Sequence, residues 1–196
     1  MSSELRKNWV SILLSIIIIL MGLEIIYLVR QNRQLRSLVA ESHRTIKTLA
    51  PGDTVPSFVG RDIYGNTVSI QFAPVRPHTL LLWFSSSCSA CGENLSFWNE
   101  LYQGYSADVV HFLGMGVGDL TEIQAVAADF DIKFPVVCAN DPFYRETYRG
   151  NIYPQTLLIS PEGVVRDTWV GSLQQEQKDS IITALAQLET LSMEGR

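Results

Sequence analysis

A chain of 196 residues allows one domain of ordinary size plus an appendage, and 46% hydrophobic content suits a globular protein. The net charge of −5 is unevenly divided, at +4 over residues 1–50 and −9 over residues 51–196. The acidic second part has no basic stripe or aromatic platform, which speaks against nucleic-acid binding.

Residues 1–8 read as a short N-terminal flank. Residues 9–29 are almost continuously apolar, with Ile16 to Ile19 at the centre and Glu24 as the single charge. As a helix this run spans about 30 Å, enough for a bilayer core. Arg6 and Lys7 would also suit the start of a cleaved signal peptide. The length of the run and the lack of a small-x-small cleavage site favour an uncleaved anchor in the lipid bilayer. Glu24 lies six residues from Arg30 and is read as shallow in the membrane.

Residues 30–50 read as a basic juxtamembrane stalk that could touch anionic headgroups, with Leu35, Leu38, Ile46 and Leu49 near helical spacing. Pro51-Gly52-Asp53 ends it, and a folded domain over 51–196 begins there. Residues 55–59 are extended, Asp62 to Asn66 is a turn, and a strand over 67–70 completes a hairpin. Residues 78–84 form an apolar central strand, buried on both faces and therefore in need of cover on both sides of its sheet.

Cys88-Ser89-Ala90-Cys91 follows that strand, and Leu95, Trp98, Leu101 and Tyr102 then recur at helical spacing. Cys88 thus sits at or just before the first turn of a helix over 89–105. The unpaired N–H groups and the helix dipole favour a thiolate there. Cys91, one turn further in, can attack a mixed disulfide formed at Cys88. Zinc is the competing use of such a pair. Its other ligands would have to come from Cys138, His43, His78 and His111, which contain no second close pair. An inert pair is the third reading. Ser89 and Ala90 add no charge.

A strand over 109–115 comes next. Asp119 and Glu122 have capping-box spacing for a helix ending near Phe130. Short elements follow at 134–137 and 141–148, then a hairpin of 155–160 and 164–170 around Pro161-Glu162-Gly163, and a helix over 173–191. The sum is an α/β domain, a mixed central sheet flanked by helices. Cys138 reads as a buried inert thiol, His78 and His111 as structural or surface residues, and Trp83, Phe84 and Trp98 as core.

Trp83-Phe84-x-x-x-Cys88-x-x-Cys91, the segment from Tyr153-Pro154-Gln155 to Ile159, and Pro161-Glu162-Gly163-Val164-Val165 together resemble the thioredoxin superfamily. The likeness covers about residues 51–190. It is nearest to the membrane-anchored, extracytoplasmic TlpA/ResA-like thiol-disulfide oxidoreductases. The resemblance implies a thioredoxin-like fold with an added N-terminal β-hairpin and a central insertion, here preceded by one transmembrane helix. It also implies reduction of extracytoplasmic protein disulfides, including those of apocytochromes c, with a membrane thiol-disulfide transporter as electron donor. No cofactor or metal is implied, and nothing assigns an oligomeric state.

By that resemblance Cys88 is the nucleophile and Cys91 the resolving thiol. Pro154 is the cis-proline facing the disulfide, and the backbone of Tyr153 pairs with an extended substrate. Read without the family, Pro154 suits an ordinary strand start equally well. The chain departs from the family pattern in several places. Ser87 replaces the tryptophan before the first cysteine, Leu82 the buried acid of the central strand, Asn94 a glutamate, and Ser96 a helix-bending proline. Glu93, beside Asn94, would either assist proton transfer from Cys91 or stand exposed to solvent on the helix, and the sequence leaves both readings open.

Flanking charge and chemistry disagree on orientation. More arginines follow the apolar run than precede it, which favours a cytoplasmic C-terminal domain, whereas a tethered dithiol suits an oxidising compartment. The reading adopted is a single-pass signal-anchor with the C-terminal domain on the periplasmic side. Two other functions compete with disulfide reduction. A peroxiredoxin-like peroxidase would want a proline near its reactive cysteine, and residues 81–87 contain none. A non-catalytic binding or assembly module would leave the dithiol silent.

Overall fold

A computed structural model describes residues 20–25, 27–31, 48–74 and 77–194. The chain divides into two units, residues 1–47 and 48–196.

In the first unit, residues 20–25 and 27–31 are helical. The expected anchor over 9–29 is corrected here: among the described residues no helix is long and apolar enough to cross a membrane. A span needs about 20 apolar residues in one helix. Residues 1–19, 26 and 32–47, which include most of the expected flank, anchor and stalk, lie outside the described residues. The expectations built on the anchor fall with it. These are the transmembrane helix in the fold class, the anchored branch as the relative, bilayer contact through 9–29, and the single-pass periplasmic placement. The membrane transporter as electron donor loses the tether that argued for it.

The second unit is built on a five-stranded mixed sheet. Its strands are β3 (His78–Ser85), β4 (Val110–Val117), β5 (Val136–Cys138), β6 (Gln155–Ile159) and β7 (Val165–Val170), in the order β5-β4-β3-β6-β7. β3 runs parallel to β4 and β4 to β5, while β6 is antiparallel to β3 and β7 to β6. The helices are α1 (Cys91–Gly104), α2 (Leu120–Asp129), α3 (Pro142–Thr147) and α4 (Gln175–Glu194). β1 (Phe58–Arg61) and β2 (Thr67–Ile70) form the added antiparallel hairpin. The fold is thioredoxin-like, with that hairpin and the inserted elements between β4 and β6.

Side chains alternate across β3 with the period of a strand. Leu80, Leu82 and Phe84 enter one core with Leu95, Trp98 and Leu101 of α1, Ile123 of α2 and Ile181 and Leu185 of α4. Leu81 and Trp83 enter a second core with Phe58 and Ile70 of the hairpin, Leu113, Leu157 and Tyr148. Both faces are covered, as the continuous apolar run demands. The three longer helices share one face, and the hairpin with the end of α3 covers the other. Leu49 packs in this second core, and its carbonyl accepts from the Thr168 hydroxyl at 2.8 Å.

Candidate active site

Strand β3 delivers the chain to the edge of the sheet at Ser85. Two successive tight turns follow: the Cys88 N–H donates to Ser85 O and the Cys91 N–H to Cys88 O, both at 3.1 Å. These turns delay α1, so the helix starts at Cys91 rather than at Ser89. Ala90 is its N-cap and supplies no side-chain capping bond. The unpaired amides of the first turn are therefore left to favour negative charge at sulfur.

Cys88 and Cys91 are joined in a disulfide, with S–S 2.12 Å and Cα–Cα 5.5 Å. The two ends are unequally accessible: Cys91 is 2% exposed, whereas Cys88 is only partly buried. An incoming sulfur can therefore reach Cys88 far more readily than Cys91. Ser85 and Ser87 face each other through their hydroxyls at 3.1 Å. The Ser86 hydroxyl donates to Glu122 Oε2 at 2.7 Å, and the same oxygen accepts from the Asp119 N–H at 3.3 Å. Glu122 thus closes the start of α2 and ties it to the cysteine turn.

The Tyr153–Pro154 bond is cis and lies directly before β6. Tyr153 donates through its hydroxyl to Gly150 O at 2.6 Å and lies tilted on Trp83, with ring centroids 6.4 Å apart. Burial pushes its phenol pKa up, and Arg145 opposes that shift. Cys88 and Tyr153 both pack against the core that holds Cys91. Glu93 is exposed in the first turn of α1. Cys138 is partly buried at the end of β5, where its thiol donates to Gly118 O at 3.4 Å.

One residue of this region carries no functional signature in the sequence. Asn94 is fully buried. Its Nδ2 donates to Gly171 O at 3.2 Å, and its Oδ1 accepts from the Leu173 N–H at 3.0 Å. The available signal was its place four residues before Trp98 and seven before Leu101, a polar residue on an apolar helical stripe.

A thioredoxin-like fold carrying a two-residue-spaced disulfide at a helix N-terminus defines a thiol-disulfide oxidoreductase, and the protein is an enzyme of that class. The chain belongs to the AhpC/TSA family, whose profile matches residues 51–168. Thiol-disulfide oxidoreductase ResA of Geobacillus kaustophilus is 27% identical over 129 residues, covering 65% of this chain and 74% of that protein. Among solved structures, a thioredoxin-family thiol:disulfide interchange protein of Chlorobium tepidum superposes with a TM-score of 0.57 at 21% identity, over 69% of this chain and 97% of the other. StoA of Bacillus subtilis gives a TM-score of 0.55 at 20% identity, over 65% and 98%. These two likenesses show the fold.

Proposed function

We propose that the protein reduces disulfides of other proteins, with Cys88 as attacking thiol and Cys91 as resolving thiol. The observation that carries this reading is the unequal exposure of the two sulfurs in one disulfide. In the reduced enzyme the Cys88 thiolate attacks a substrate disulfide, forms a mixed disulfide and releases one substrate thiolate. Cys91 then attacks the Cys88 sulfur and releases the second substrate thiolate, leaving the Cys88–Cys91 disulfide seen here. Two electrons pass to the substrate, and a separate reductant must restore the dithiol.

In this reading the backbone of Tyr153, presented beside Pro154, pairs with an extended stretch of substrate. Glu93, exposed two residues beyond the buried Cys91, would take the Cys91 proton through intervening water. Glu93→Gln would then slow resolution without altering attack by Cys88. Disulfides of apocytochromes c are a substrate class in keeping with the resemblance to ResA-like proteins.

The test is a trapping experiment on the full chain with insulin as protein disulfide. Cys91→Ser should accumulate a mixed disulfide on Cys88, and Cys88→Ser should accumulate none. A reduction potential below about −220 mV supports an electron donor, and one near about −120 mV would reverse the electron flow. Absence of any trapped species would sink the exchange mechanism.

A further inference from the structure

We infer that Asn94 is a positioning residue that holds the Pro154 loop in register with the cysteine pair. This inference rests on the reading of Tyr153–Pro154 as the substrate-pairing edge. The two halves of the site come from segments far apart in the chain, and each is bonded to residues 171–173, the turn that follows β7. On one side, Asn94 donates to Gly171 O and accepts from the Leu173 N–H, at 3.2 and 3.0 Å. The Ser172 hydroxyl adds a bond to Ala90 O, the N-cap of α1, at 3.4 Å. On the other side, the Gly171 N–H donates to Pro154 O at 2.8 Å.

Gly171 therefore passes a connection from the first turn of α1 to the proline loop. Asn94 addresses both ends of the turn with one side chain. Its amide nitrogen donates to one backbone group and its oxygen accepts from another, so both ends of the side chain are engaged. An apolar side chain in this fully buried position would pack as well but would leave Gly171 O and Leu173 N–H unpaired, since neither backbone group can be removed. The second tie between α1 and β6, from Trp98 Nε1 to Thr156 Oγ1 at 3.1 Å, lies one turn further from the cysteines. Disulfide exchange joins a substrate held at one element to a sulfur held at another. Misplacement by about 1 Å costs such steps roughly a hundredfold, so the relay bears on substrate engagement as well as on stability.

Asn94→Ala and Asn94→Asp separate the two bonds. Alanine removes both. An aspartate carboxylate keeps the acceptor for Leu173 N–H and loses the donor to Gly171 O. With full-chain protein and insulin as substrate, both variants should raise KM about five- to tenfold with a smaller change in kcat. Amide exchange at Gly171 should rise about tenfold, as expected for loss of one buried hydrogen bond. If Asn94→Asp matches the native enzyme while Asn94→Ala fails, the role is confined to Leu173 and the inference is overturned. Unchanged exchange at Gly171 in both variants overturns it equally. Should both variants fail to fold, Ser172→Ala weakens the same turn nearer the surface and should raise KM about twofold; no change in KM then rejects the inference. The Cys91→Ser trap in an otherwise native chain keeps the two readings apart. No trapped insulin rejects the exchange mechanism itself, whereas normal trapping with unaltered KM in the Asn94 variants rejects only the positioning role.

Discussion

Gly150 lies flat against the indole of Trp83, so close that a Cβ built on residue 150 would fall 2.3 Å from Cζ3 of the ring. Trp83 is fully buried in the second core and has no room to retreat. The Gly150 carbonyl also receives the Tyr153 hydroxyl, so moving this backbone moves the residue beside Pro154. Gly150→Ala should therefore destabilise the fold by about 1–3 kcal/mol, the usual cost of overpacking. It should also weaken protein-disulfide reduction. Urea unfolding and insulin reduction on the same preparation check both, and an unchanged unfolding midpoint would show that the ring can yield.

Cys138 has a thiol and stands at the same edge of the sheet as Ser85, yet it is occupied as a donor to Gly118 O. Asn140 grips the same glycine, through Gly118 N–H to its Oδ1 at 3.0 Å and through its Nδ2 to Gly118 O. The thiol is one donor among several on a firmly held loop. Cys138→Ser keeps a donor of similar size, so insulin reduction should stay within about twofold of native. A loss beyond tenfold would make Cys138 a third redox-active thiol.

The cysteine pair, the central strand and the helix after it were legible in sequence because each is a local pattern. A continuous apolar run, a small-residue turn and a helical stripe lie within some thirty residues. Spacing alone starts α1 at Ser89, because it does not reveal the two turns between Ser85 and Cys91. In the sequence Asn94 stands out only as a departure from a family pattern, since its partners Gly171 and Leu173 lie 77 and 79 residues away. The gathering of α1, α2 and α4 on one face was equally hidden, because periodicity shows that a face is buried and not what buries it. The anchor over 9–29 was over-read for a related reason. A hydropathy run counts apolar residues and length alone, and among the described residues no helix is long and apolar enough to cross a membrane.

Trp98 and Thr156 provide a test of how α1 is secured to β6. Both are fully buried, and the indole N–H donates to the threonine hydroxyl at 3.1 Å. Thr156→Val preserves shape and removes the acceptor, leaving a buried indole N–H unpaired. Such an orphan costs about 1–3 kcal/mol. The expected result is a lower urea midpoint with an unchanged m-value. A change below about 0.5 kcal/mol would mean that the indole finds another acceptor.

The burial of His78 predicts a stability that depends on pH near neutrality. It opens β3 partly buried, and among the described residues its Nε2 is buried with no hydrogen-bond partner. Burial depresses its pKa below the ordinary 6.5, the nearby Arg166 adds to the shift, and Glu162 opposes it. Below about pH 6.5 the unfolded chain takes up a proton at this imidazole that the folded chain does not. Stability therefore rises with pH between the folded pKa and about 6.5, and this contribution is flat above it. Carboxylates titrate near pH 4, so their effect falls in a separate window. Urea midpoints from pH 5 to 8 should show the slope in the native protein, and His78→Leu should reduce it. An equal slope in both proteins would assign the effect to another group.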